Sequence, residues 1–159
     1  MKKILKSILL SISLFAAVLA AKAQATSPTI LTSYFALKDA LVADNSTEAQ
    51  VKAKALLVGL INIPVDQQKN WKPYMDKLLI DSRHISESTE IDHQREYFAS
   101  LSKNMLEAVK GLKLNITPVY AQYCPMKKAT WLSESVEIKN PYYGRQMLTC
   151  GKVAESLNK

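Results

Sequence analysis

From Ser27 to Asn115 apolar residues recur at intervals of three and four, the period that gathers them on one face of an α-helix. Ser27-Pro28 offers an N-cap followed by proline at the first helical position, and Ile30, Leu31, Tyr34, Leu37, Leu41 and Val42 carry the first helix. Asn45-Ser46-Thr47-Glu48 closes it and opens a second, with a carboxylate in the first turn, where the helix dipole favours negative charge. Val51, Ala55, Leu56, Leu60 and Ile61 are expected to line that second helix, and Pro64 to stop it. A third should begin near Asp66 and carry Trp71, Met75, Leu78 and Leu79, with a kink or a fresh start at Pro73, which has no N–H to give. Ser86 to Thr89 reads as a break. Ile91, Phe98, Leu101, Met105 and Val109 then share one face of a fourth helix, with Gly111 near its end. The pattern therefore predicts a mostly α chain: an antiparallel four-helix bundle over residues 27–114.

After Leu114 the pattern changes. "NITPVYAQYCPM" is β-branched and aromatic with proline punctuation, which predicts an extended strand or loop. "ATWLSESVEI" reads as a short strand or hairpin arm, and "NPYYGRQMLTCG" carries turn signals at Asn140-Pro141 and Gly144. The last residues, "KVAESLNK", are expected to form a helical turn. Residues 115–159 are thus read as an irregular, partly extended Cys/Met segment packed on the bundle.

The N-terminus changes the charge argument. Lys2, Lys3 and Lys6 precede an apolar run from Ile8 to Leu19, and Ala21-Lys22-Ala23 supplies small residues where a signal peptidase cuts. Residues 1–23 are read as a cleaved leader, and 24–159 as one periplasmic or secreted domain. The run is shorter than the ~20 residues a bilayer span needs. The whole chain carries +7. Loss of Lys2, Lys3, Lys6 and Lys22 lowers its 21 basic residues to 17 against 14 acidic ones, a net +3. That is an ordinary surface, with no basic stripe interleaved with aromatics, so nucleic acid is not an expected partner. No nucleophile elbow, phosphate-binding glycine loop or H-E-x-x-H helix is present, and an enzyme is not expected.

The unusual chemistry lies in residues 123–151. Cys124 and Cys150 are the only two cysteines, and each has a methionine close by, Met126 and Met147. Two readings follow. In an oxidising compartment an even cysteine count points to a disulfide; closing the Cys124–Cys150 loop would contribute roughly 3.5 kcal/mol by chain entropy and leave a structural or protein-interaction domain. Alternatively, two thiolates and two thioethers form a soft donor set suited to Cu(I), with Ag(I) or Zn(II) less favoured. A zinc site would want further cysteine or histidine. His84 and His93, the only histidines, are second-rank ligand candidates on either side of a helix break. Trp131, Tyr142 and Tyr143 either wall such a site or bury area where the segment meets the helices, and Arg145 could pair with a carboxylate such as Glu96.

"VYAQYCPM", "WLS", "NPYYG" and "MLTCG", together with the upstream "IDHQREYFASLS", resemble one family. It is a periplasmic domain of unknown function, found alone behind signal peptides and also appended to the adaptor (membrane-fusion) subunits of heavy-metal efflux pumps of the resistance-nodulation-division type. The resemblance runs from about Tyr34 to Val153. It implies a metal-handling module in the context of copper and silver efflux, with Cys124, Met126, Met147 and Cys150 as ligands and an efflux adaptor or pump subunit as partner.

Overall fold

The structure is a computed structural model that describes residues 26–158; the expected leader, residues 1–23, lies outside the described residues. Four helices come first: α1 (Thr26–Val42), α2 (Ser46–Ile61), α3 (Val65–Glu87) and α4 (Ile91–Leu112). Three strands follow, β1 (Val119–Cys124), β2 (Ala129–Ser133) and β3 (Lys152–Leu157), with a short 3-10 turn at Gly144–Gln146 before β3. The mostly α expectation holds, but the C-terminal part is more regular than the sequence suggested.

Each helix packs against the next, and β2 lies on α4. Asn45 caps α2 by accepting the Glu48 N–H at 3.0 Å, as its sequence position indicated. α3 runs through Pro73 as one element rather than starting afresh there. The buried face of α2 is Ala49, Ala53, Leu56 and Leu60, whereas Val51, Ala55 and Ile61 are exposed. Both stripes have helical spacing. The one with two alanines wins because small side chains let neighbouring helices approach closely and pack densely. On α4, Phe98, Leu101, Met105 and Val109 are buried as expected, joined by the polar Gln94, Arg95 and Ser102.

Tyr34 ties α1 to α4 and to the sheet. Its ring stacks on Phe98 with centroids 5.4 Å apart, a contact worth about 0.5–1.5 kcal/mol beyond the area it buries. Its hydroxyl lies 2.7 Å from Ser102 Oγ and accepts the Leu132 N–H at 3.0 Å. Full burial pushes the phenol well above its usual pKa, with the bonds to Leu132 and Ser102 opposing.

The sheet order is β2-β1-β3, antiparallel throughout. Tyr123 pairs with Thr130 on one side and Lys152 on the other, and Cys124 pairs with Ala129. β3 corrects the expected helical turn. "KVAESL" is exposed along nearly its whole length, so no buried face declared its period. It forms a strand because the free edge of β1 offers unpaired N–H and C=O groups, which a helical turn would leave open.

Candidate metal centre

β1 ends at Cys124, and residues 125–128 turn the chain into β2, with Lys128 in the left-handed region at φ 55°. The returning strand β3 starts beside Tyr123, which places Cys150, two residues before it, at the same end of the sheet. The two thiols meet there as neighbouring, electrostatically interacting groups, and both are free thiols. Cys124 is fully buried and Cys150 half-buried.

The turn presents its main chain to both sulfurs. Lys127 N–H donates to Cys124 Sγ at 3.4 Å, and the Met126 main chain acts to lower the Cys150 pKa. Such donors favour thiolate charge. Burial nevertheless raises the Cys150 pKa, and the neighbouring Cys124 raises it further, against the opposing Met126 bond. Two thiols this close resist ionising together. A bound cation removes that conflict, and so does oxidation to a disulfide.

The loop holding Cys150 is fixed by the "NPYYG" stretch. Asn140 is fully buried: its side-chain NH2 donates to the Cys150 carbonyl at 2.6 Å, and its Oδ1 accepts the Tyr142 N–H at 2.8 Å. Its main chain bonds to Leu148 and Gly144. Tyr142 donates its hydroxyl to the Thr130 carbonyl at 2.6 Å and meets Trp131 edge to face at 5.9 Å. Gly151 lies against Trp131: a Cβ there would stand 2.8 Å from the indole and 3.1 Å from the Tyr123 carbonyl. Gly144, at φ +53°, lies against the Asp44–Arg95 pair, where a Cβ would fall 2.5 Å from the guanidinium. Tyr142, whose ring also lies 6.0 Å from Phe98, thus joins β2 to α4, and Trp131 backs the residue after Cys150. Tyr143 is half-buried and lines an open groove of about 400 Å³, with Asp92, Glu96 and Lys127, beside the hairpin turn.

Arg95 and Asp44, which anchor this corner to the helices, were not among the sequence candidates. Arg95, 7% exposed, donates Nε–H to the Pro141 carbonyl at 2.9 Å and Nη2–H to the Leu41 carbonyl at 3.0 Å and to Asp44 Oδ1 at 2.5 Å. Arg145 pairs with the other oxygen of Asp44 at 3.0 Å, not with Glu96. The signal for Arg95 was present: it falls on the same helical stripe as Phe98, Leu101 and Met105, and a charged residue on a core face needs buried partners.

The sulfur candidates are only partly assembled. Cys124 and Cys150 come together. Met147 is half-buried, and its carbonyl accepts the Cys150 N–H at 3.0 Å. Met126 contributes its main chain to the corner, and the residue is 63% exposed. His84 and His93 stand near one another elsewhere, their rings tilted by 55°, beside Tyr97. Among the described residues no histidine, aspartate or glutamate joins the two cysteines in a set of three able to hold a metal ion. The donors brought together are two sulfurs, without the further Cys or His of a closed zinc site. No helix among the described residues is long and apolar enough to cross a membrane.

A family model described as "Protein of unknown function (DUF3347)" matches residues 30–117. The match takes in the four helices with His84 and His93, and ends before β1, so none of the four sulfur residues lies inside it. No curated protein and no solved structure matches the chain.

Proposed function

The chain belongs to the DUF3347 family, proteins of unknown function, and from that premise we propose that it is an exported, non-catalytic binding protein for a soft metal ion. Cu(I) is favoured, with Ag(I) and Zn(II) behind it. The observation that carries the reading is the convergence of Cys124 and Cys150 at one hairpin turn, where the Lys127 N–H donates to the Cys124 sulfur. In this reading the helices form an antiparallel bundle that serves as a rigid support, and the reduced thiols supply the two strong ligands. Met147 from the Cys150 loop, or Met126 after a rotation of its exposed side chain, adds a weaker and exchangeable thioether. Exchange at that position would let the ion pass to a partner, for which a heavy-metal efflux adaptor or pump subunit is the proposal. The compartment would be the periplasm or the exterior.

A second reading rests on the complete burial of Cys124 beside Cys150. A buried, adjacent pair in an oxidising compartment suits a disulfide that staples the C-terminal sheet. An oxidised pair cannot supply thiolates, so the two readings separate by mass. The test is native mass spectrometry of the protein exported to an oxidising compartment, as isolated and after reduction with one equivalent of Cu(I) beside a competing chelator. One copper retained supports the metal site. A mass two hydrogens light, with no copper held in either state, makes the pair a staple and rejects the metal reading.

A further inference from the structure

His84 lies in the last turns of α3 and His93 in the first turn of α4, with a three-residue connection, residues 88–90, between the helices. The fold brings their rings within 5.9 Å, centre to centre, at 55°. Tyr97, one helical turn after His93, stacks on His84 at 4.0 Å and 6° and lies 4.8 Å from His93. We propose that His84 and His93 form a two-imidazole site for a borderline divalent cation, such as Zn²⁺, Ni²⁺ or Cu²⁺, separate from the thiol pair.

The geometry suits this chemistry. With metal–nitrogen bonds of ~2.0–2.1 Å, two imidazoles sharing one ion hold their ring centres roughly 5–6 Å apart. Parallel stacking on Tyr97 fixes the plane of His84, so little ring freedom is lost on binding. Both histidines are half-buried, so the site is open to an arriving ion. The hairpin that holds them is itself pinned. The buried Gln94 side chain donates to the Ser88 carbonyl at 2.6 Å and the Ser46 carbonyl at 2.9 Å, and the Glu90 N–H donates to Ser88 Oγ at 3.0 Å.

A second observation places an acidic group beside the pair. Asp81, one turn before His84 on α3, is 5% exposed and has its Oδ2 without a hydrogen-bond partner; burial raises its carboxyl pKa, against Ser100, Asn104, His84 and Lys77, which all favour its charge. A carboxylate that accepts the other ring N–H supports a metal-bound histidine, and the unpartnered Oδ2 is available for that role on ion binding. Among the described residues no third His, Cys, Asp or Glu completes a ligand set with the pair, which leaves the remaining positions to water and makes the ion exchangeable. Imidazole donors suit these ions, and affinity should follow Ni²⁺ < Cu²⁺ > Zn²⁺. This differs from the sulfur chemistry at Cys124 and Cys150, and the inference does not depend on that reading.

Zn²⁺ titration of the full chain, followed through imidazole ¹H–¹⁵N resonances, tests it. The sequence has only these two histidines, so every shift is assignable, and an ion held by the thiols alone leaves both rings unmoved. The expected result is simultaneous saturable shifts of both imidazoles. His84→Gln or His93→Gln should weaken the response of the remaining ring at least tenfold, with the circular dichroism spectrum unchanged. Unmoved imidazoles at saturating Zn²⁺, or a remaining ring whose affinity is unaltered by loss of its neighbour, would overturn the proposal. Either outcome is independent of copper retention at the thiols.

Discussion

Replacing Arg95 by methionine removes the charged group that joins the helices to the loop carrying Cys150, while keeping an aliphatic chain of similar length. The guanidinium bonds two main-chain carbonyls, Pro141 and Leu41, and one carboxylate, Asp44, from a side chain only 9% exposed. Without it both carbonyls lose their charged donor, and each buried orphan costs about 1–3 kcal/mol. Asp44 keeps Arg145, so its carboxylate adds less. The expected loss is about 3–5 kcal/mol, the range for removing one partner of a buried ion pair. Arg145→Met is the internal control. It binds the same carboxylate at 3.0 Å, but its side chain is 80% exposed, and its loss should cost under about 1 kcal/mol. Urea denaturation followed by circular dichroism measures both, with equal slopes confirming that the same surface is exposed. Losses of similar size for the two arginines would refute the reasoning that burial, and not ion-pair distance, sets the strength. So would a loss below about 1 kcal/mol for Arg95→Met.

Three further outcomes are expected. Tyr34→Phe strands the buried Leu132 N–H and Ser102 hydroxyl, so it should cost about 1–3 kcal/mol per stranded group in urea melts. A double-mutant cycle with Ser102→Ala should show coupling of at least about 0.5 kcal/mol. Gly151→Ala places a Cβ against Trp131, so it should destabilise by about 1–3 kcal/mol and alter tryptophan fluorescence; an unchanged melt would contradict the packing described. Burial alone would raise the Asp44 carboxyl, but hydrogen bonds from Arg95 and Arg145 reverse that and hold it below the ordinary carboxylate value. Because the folded value is the lower one, this stabilisation is present above the unfolded value of ~3.9 and is lost as pH falls through the folded value. Wild type should therefore lose its stability advantage over Asp44→Asn in acid melts below about pH 4.

The helices were legible because burial imposes a 3.6-residue period on the sequence, and Phe98, Leu101 and Met105 show it plainly. α2 was legible as a helix but not by face, since its alanines and valines form two stripes of equal spacing. β3 was not legible at all: a strand with no buried face leaves no pattern, and its pairing to β1 is a long-range fact. The thiol pair follows the same logic. Twenty-six positions separate Cys124 from Cys150, and their meeting depends on the sheet register and on Asn140, neither of which is encoded near either cysteine. The two histidines meet for a simpler reason, a three-residue helix connection, which sequence can suggest but only packing can register.

The most direct measurement of the proposed function is a Cu(I) titration of the reduced protein against a chromophoric chelator, run with wild type, Cys150→Ser and Met147→Leu. The account expects one Cu(I) per wild-type chain, loss of competition in Cys150→Ser, and weaker but measurable binding in Met147→Leu with nearly unchanged stability. Equal competition by wild type and Cys150→Ser, or none by the fully reduced wild type, would contradict it.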